Sequence, residues 1–189
     1  MDGYYDPWPL VILERPVAVS GFFGAEDGKV AWSAAARLGL NLVHIPRLVE
    51  HQAGAKEADI IHKEGYAGWY RRCRAVLQAT ARQRPAGVWT LGPNVLLDPV
   101  CAGVVRDETV HVHLRQSAPG RAARVASLLD DRPSRFLPWL APAMLLTDQF
   151  EAMWRERHEA YAKAAHHLDC DDLHHSKVAE ALMALMHQG

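Results

Sequence analysis

Short apolar runs alternate with longer helical segments along most of the chain, and this alternation restricts the fold more than any other feature. VAVSGF (17–22), NLVHIP (41–46), GVWTLG (87–92) and VHVHL (110–114) are rich in β-branched and apolar residues and predict buried strands, the second stopped by Pro46. Between them the spacing predicts helices at 28–38, closed by Gly39, at about 47–53 and 57–84, in LDPVCAGVV (97–105) and in GRAARVASLL (120–129). Within 57–84, Tyr66, Trp69, Cys73, Val76, Leu77 and Thr80 recur on one helical face and form its expected core side. A helix near 147–165, a short strand from His167 to Cys170 and a helix at 176–187 complete the pattern. Strands that alternate with helices make a parallel sheet covered on both faces, so the expectation is a three-layer α/β domain with five strands. DDRPSRFLPWLAPAM (130–144) interrupts the rhythm with prolines and reads as a lid at about 130–147.

A chain of 189 residues suits one such domain, with 1–16 as an N-terminal extension and 17–189 as the domain proper. A net charge of −1 without a long basic run argues against direct nucleic-acid binding, which needs a positive surface to displace counterions. The start, MDGYYDPWPLVILERP, lacks a basic region followed by a long apolar run, so no signal peptide is expected. No stretch reaches the roughly 20 apolar residues that span a bilayer, and a cytoplasmic protein is expected. Cys73, Cys101 and Cys170 are far apart and odd in number, which favours buried thiols over disulfides. Tyr4, Tyr5, Trp8 and Trp139 could mark a partner surface or fold back onto the domain.

The first strand runs into GFFGAEDGKV (21–30), where a phosphate-binding loop belongs. Such a loop reads GxxxxGK[ST]: its glycines crowd N–H groups around phosphate, its lysine neutralises charge and its hydroxyl holds magnesium. Here Gly28-Lys29 is followed by Val30, and Phe23 stands five residues before Gly28. Residues 23–28 are then a solvated turn with Glu26 or Asp27 near a helix N-terminus. In the other reading, a rebuilt loop shifts by two residues and uses Lys29.

The order of elements and several local strings resemble the shikimate kinases, small-molecule kinases of the P-loop, nucleoside-monophosphate-kinase-like type, over residues 17–187. Against that family's GxxGxGKSTxG loop, Gly21 and Gly24 match glycines, while Glu26 falls on a glycine, Asp27 on the lysine and Gly28 on the serine. The same register puts His44 and Pro46 on the two second-strand aspartates, one near magnesium and one acting on the substrate hydroxyl. EGYAGWY keeps Glu64, Gly65 and an aromatic at Trp69 but puts Tyr70 on the substrate-carboxylate arginine, with Arg71 adjacent. Gly92-Pro93-Asn94 stands on the GGG substrate loop. Arg132-Pro133 matches the lid, and RERHEAY, with Arg157 and Tyr161, matches a substrate-binding helix.

Arg157 shares a helical face with Phe150, Met153, Trp154 and Tyr161, so it either lies along apolar surface with its head in water or lines a cleft as an anion site. Arg132 is the second arginine candidate, and Tyr70, Arg71, Gly92 and Tyr161 complete the anion-binding set. His111 and His113 alternate on one strand face at a spacing that metals use, and equally suit buried, hydrogen-bonded imidazoles. In HHLDCDDLHH (166–175), His167 and Asp169 are further metal candidates, although alternate strand residues point to opposite faces.

These residues point to a catalytically inactive member of the resembled family. It would need no cofactor and would bind a protein partner or a small anionic metabolite, with a regulatory role. An ATP- and magnesium-dependent small-molecule kinase with an atypical loop is the first alternative, and a metal-binding or structural subunit the second.

Overall fold

The structure is a computed structural model that describes residues 11–83, 85–131, 146–171 and 173–187. Five parallel strands form one sheet in the order β2-β3-β1-β4-β5: β1 (Val17–Gly21), β2 (Asn41–His44), β3 (Gly87–Thr90), β4 (Val110–Arg115) and β5 (His166–Asp169). The helices are α1 (Asp27–Leu38), α2 (Ile45–Ala53), α3 (Glu57–Gln83), α4 (Pro99–Glu108), α5 (Ala118–Asp131), α6 (Leu146–Ala162) and α7 (His175–Met186).

Alternation along β1 decides what each face of the sheet packs against. Val17 and Val19, with Val88, Val112 and Leu114, point to a core closed by α1 and α7. Ala18, with Trp89, points to the opposite core, built with α2, α3, α4 and α6 and holding Trp69, Cys73, Val76 and Leu77. Pairing of Ala18 with His111 and of Ser20 with His113 puts these polar side chains on that second face. All three cysteines are buried free thiols, as expected.

Two boundaries differ from the sequence reading. Pro46 does not stop a strand; it lies in the first turn of α2, where its missing N–H costs nothing, and β2 ends at His44. The segment 57–83 is not one continuous helix, because Gly65 (φ 70°, ψ 178°) breaks it between Glu64 and the core-facing turn that carries Trp69. Arg132, Trp139, Tyr4, Tyr5 and Trp8 lie outside the described residues, as does most of the expected lid, although α5 extends to Asp131 and α6 begins at Leu146.

Candidate functional site

The C-terminal ends of β1, β2 and β3 open onto one edge of the sheet, where ligands bind in folds of this kind. After β1 the chain turns tightly: Ala25 N–H donates to Phe22 O (3.0 Å), and Gly24 takes φ 83°. Glu26 adopts the left-handed conformation at φ 56°, alone among the described non-glycine residues, and its carbonyl accepts from Lys29 N and Val30 N to start α1. Phe22, Phe23 and Ala25 are buried, so this is a packed turn and not a solvated one. The Glu26 carboxylate is held by Lys29 and, at 3.2 Å, by Arg124 of α5. Lys29 is therefore already engaged by a carboxylate on the outer side of the loop.

Asp27 opens α1, and its side chain turns inward to accept the Gly92 N–H at 3.1 Å. Burial pushes its carboxyl up from an ordinary 3.8 to about 6, against the pull of the backbone N–H groups of Gly92, Gly28 and its own residue. Gly28 lies beside His44, whose Nδ1 accepts from Arg47 N and caps α2; burial, then Arg47, lowers the His44 pKa.

The loop after β3 gathers the remaining groups. Gly92 (φ 63°) approaches the Pro46 ring, Pro93 O accepts the Tyr161 hydroxyl at 2.6 Å, and Asn94 Nδ2 donates to Glu57 Oε1 at 2.8 Å. Three consecutive residues thus tie α1, α6 and α3 together. Burial pushes Glu57 up to about 7, and the nearby Glu50 and Asp27 carboxylates add to the rise. Asn94 Oδ1 is buried without a partner.

Arg157 enters from α6. Its side chain is 6% exposed; one terminal nitrogen contacts Met153 O (3.2 Å) and Glu156 (3.4 Å), while Nε is buried and unpartnered. The reading with its head in water is therefore overturned. Tyr70 is half-buried and stacked on Tyr66 at 5.8 Å; burial pushes its hydroxyl up to about 12, with Arg157 near enough to oppose the rise. Arg71 does not enter the cleft, because it pairs with Glu64 at 2.9 Å. On the same helix as Arg157, Trp154 receives the Arg121 guanidinium 4.2 Å from its ring, which fixes α6 against α5.

Beneath the site, Ser20 Oγ bridges His111 Nε2 (2.7 Å) and His113 Nδ1 (3.0 Å), and the His113 ring stacks on Tyr161 at 4.6 Å. Burial lowers the two imidazoles to about 4 and about 3, so both are neutral. His167 reaches the edge of His113, whereas Asp169 pairs with Arg115 at 2.6 Å and belongs to a surface contact. Among the described residues no three His, Cys, Asp or Glu side chains converge to hold a metal ion. The histidine candidates therefore form no metal centre there.

The family model for shikimate kinase matches residues 28–187. The chain belongs to the shikimate kinase family. Its relatives include a shikimate kinase of Salinibacter ruber, 29% identical over 88% of this chain and 80% of that protein. Shikimate kinase 2 of Dickeya chrysanthemi is 26% identical over 82% of this chain and 87% of that protein. The fold is shared with the shikimate kinase of Acinetobacter baumannii in complex with shikimate, at TM-score 0.77, 17% identity and 91% and 92% coverage. It is also shared with the shikimate kinase of Bacteroides thetaiotaomicron, at TM-score 0.79, 16% identity and 91% and 98% coverage. Asp27 lies one residue before the matched span.

Of the residues singled out in the sequence, Asp27, Gly92, Tyr70, Arg157 and Tyr161 come together, with Gly21, Gly24 and Gly28 shaping the loop. Glu57 and Asn94 were missed as site residues. Asn94 was legible as part of the altered GGG loop, but Glu57 carries no sequence signal, since only the packing of α3 against the β3 loop brings it in.

Proposed function

We propose that this shikimate kinase family member binds a small carboxylate metabolite under Arg157 and does not transfer a phosphoryl group. The observation that carries the reading is Asp27, an inward carboxylate at the first residue of α1, where the family register calls for a lysine. A phosphate about 4 Å from an ionised carboxylate is opposed by about 4 kcal/mol at an effective dielectric near 20. Phosphoryl transfer rests on positioning and charge neutralisation, and here the lysine, the hydroxyl and both aspartates are replaced, by Asp27, Gly28, His44 and Pro46. The donor set does not fit magnesium-ATP.

Arg157 is what remains of acceptor recognition. A buried guanidinium with an unpartnered Nε suits a carboxylate, which would satisfy the orphan donor. Binding without turnover fits a regulatory role, with the ligand or a partner protein read through α6.

The test is a thermal-shift titration of the full chain with shikimate and, separately, with magnesium-ATP, since any ligand of the folded state raises the melting temperature. Stabilisation by shikimate and none by ATP is expected. ATP-dependent phosphorylation of shikimate in a coupled assay would overturn the reading.

A second reading, an ATP-dependent small-molecule kinase with an atypical loop, is favoured by the family's own activity and by one feature of the loop. A cavity of about 360 Å³, lined by Gly120, Ala123, Arg124, Asp171, Leu173 and His174, adjoins the Glu26–Arg124 pair. In that reading Lys29 and Arg124 exchange Glu26 for phosphate, and ATP alone stabilises the protein.

A further inference from the structure

Around Tyr161, which bonds the 92–94 loop and feels both Arg157 and Asp27, the polar groups have two electrical ends. At one end the guanidinium offers a buried, unpartnered Nε. At the other, Asp27 and Glu57 are both held by the 92–94 loop, each keeps partial solvent access, and Asn94 Oδ1 is a buried acceptor without a donor. Tyr161, anchored on Pro93 between them, lies within electrostatic reach of both Arg157 and Asp27. A ligand that carries only carboxylate and hydroxyl groups would satisfy Arg157 but offer no cation to the Asp27 and Glu57 carboxyls and the Asn94 Oδ1 acceptor.

We propose that the natural ligand of these groups is a small zwitterion, with its carboxylate on Arg157 and a primary ammonium between Asp27, Glu57 and Asn94 Oδ1. This rests on the carboxylate-binding reading above and adds the second half of the ligand. An ammonium has donors for two carboxylates and one amide oxygen at once, which a hydroxyl, with a single donor, does not. The neighbouring ionisable groups do not compete for it: Glu50 accepts from Lys56 and from Glu57 N–H, and His44 is turned toward Arg47 N. The carboxyls' environment adds a signature. Both rise toward neutrality in the free protein, so an arriving cation must drive protons off them.

The experiment is isothermal titration calorimetry of the full chain at pH 6.5, in two buffers of different ionisation enthalpy. The probes are the straight-chain ω-amino acids from glycine to 6-aminohexanoate, each beside its des-amino carboxylate, with shikimate as reference. At least one amino acid should bind tenfold or more tighter than its des-amino counterpart and release protons. Asp27→Asn and Glu57→Gln should each reduce that preference to about twofold or less while leaving des-amino carboxylate binding in place, and Arg157→Met should abolish both. If shikimate or the des-amino acids bind as tightly as every amino acid, or if protons are taken up, the zwitterion is refuted and the carboxylate site stands. If no carboxylate binds, or if Arg157→Met leaves binding intact, the carboxylate site itself falls.

Discussion

Replacing Asp27 by asparagine should stabilise this protein, and by an amount that depends on pH in a defined way. The Asp27 carboxyl rises from 3.8 to about 6 in the folded state, which corresponds to about 3 kcal/mol. Below about pH 3.8 both folded and unfolded chains hold the proton, and the group costs nothing. As pH climbs from about 4 to about 6 the unfolded chain ionises first, and the folded state loses that stability progressively. Asparagine never ionises, and its Oδ1 can still accept the Gly92 N–H. Its amide N–H₂ must find a partner near Glu57, so the net gain above pH 7 should be about 2 kcal/mol, or roughly 4–8 °C in melting temperature for a chain of this size. Urea unfolding of both proteins at half-unit intervals from pH 4 to 8 would measure it. The difference should be near zero at pH 4, grow to pH 7 and then stay flat. A difference independent of pH, or a variant less stable at pH 7.5, would refute the assignment of Asp27 as a buried, inward carboxyl.

Restoring the loop by Glu26→Gly, Asp27→Lys and Gly28→Ser together should bring back stabilisation by magnesium-ATP in thermal shift without phosphoryl transfer, because His44 and Pro46 still replace the carboxylates that complete the site. Buried His111 and His113 titrate at about 4 and 3 in the folded state against 6.5 in the unfolded chain, so stability should fall as pH drops from 6.5 towards 4. His113→Phe, which keeps the stack on Tyr161, should flatten that slope in urea titrations. Tyr161→Phe leaves Pro93 O without its donor and should cost about 1–2 kcal/mol in the same assay, with weaker carboxylate binding as the 92–94 loop loosens.

Much of the fold was legible because parallel strands and their covering helices carry strong local patterns. VAVSG, GVWT and VHVHLR are buried nearly throughout, and the face from Trp69 to Thr80 is the core face expected from its spacing. Pro46 misled because proline is compatible with both a strand end and a helix start; the helix start is marked by the local His44 cap on Arg47 N and by the Gly92 contact, of which only the second is tertiary. The break at Gly65 was missed because the periodicity on either side survives it. Arg157 was equally readable as a surface arginine, and only the packing of α6 against α3 and the β3 loop removed its head from water.

By itself the sequence determined the three-layer architecture and which side chains stand at 27, 28, 44 and 46, since strand and helix periods and side-chain identities are local properties. Tertiary structure alone decided what those side chains do. It aimed Asp27 at the Gly92 N–H, brought Glu57 and Asn94 beside it, paired Lys29 and Arg71 elsewhere and left Arg157 buried with an open donor. The reason is electrostatic: whether a charge attracts a ligand depends on which neighbours already neutralise it and how much water it has lost, and both are set by chain segments distant in sequence.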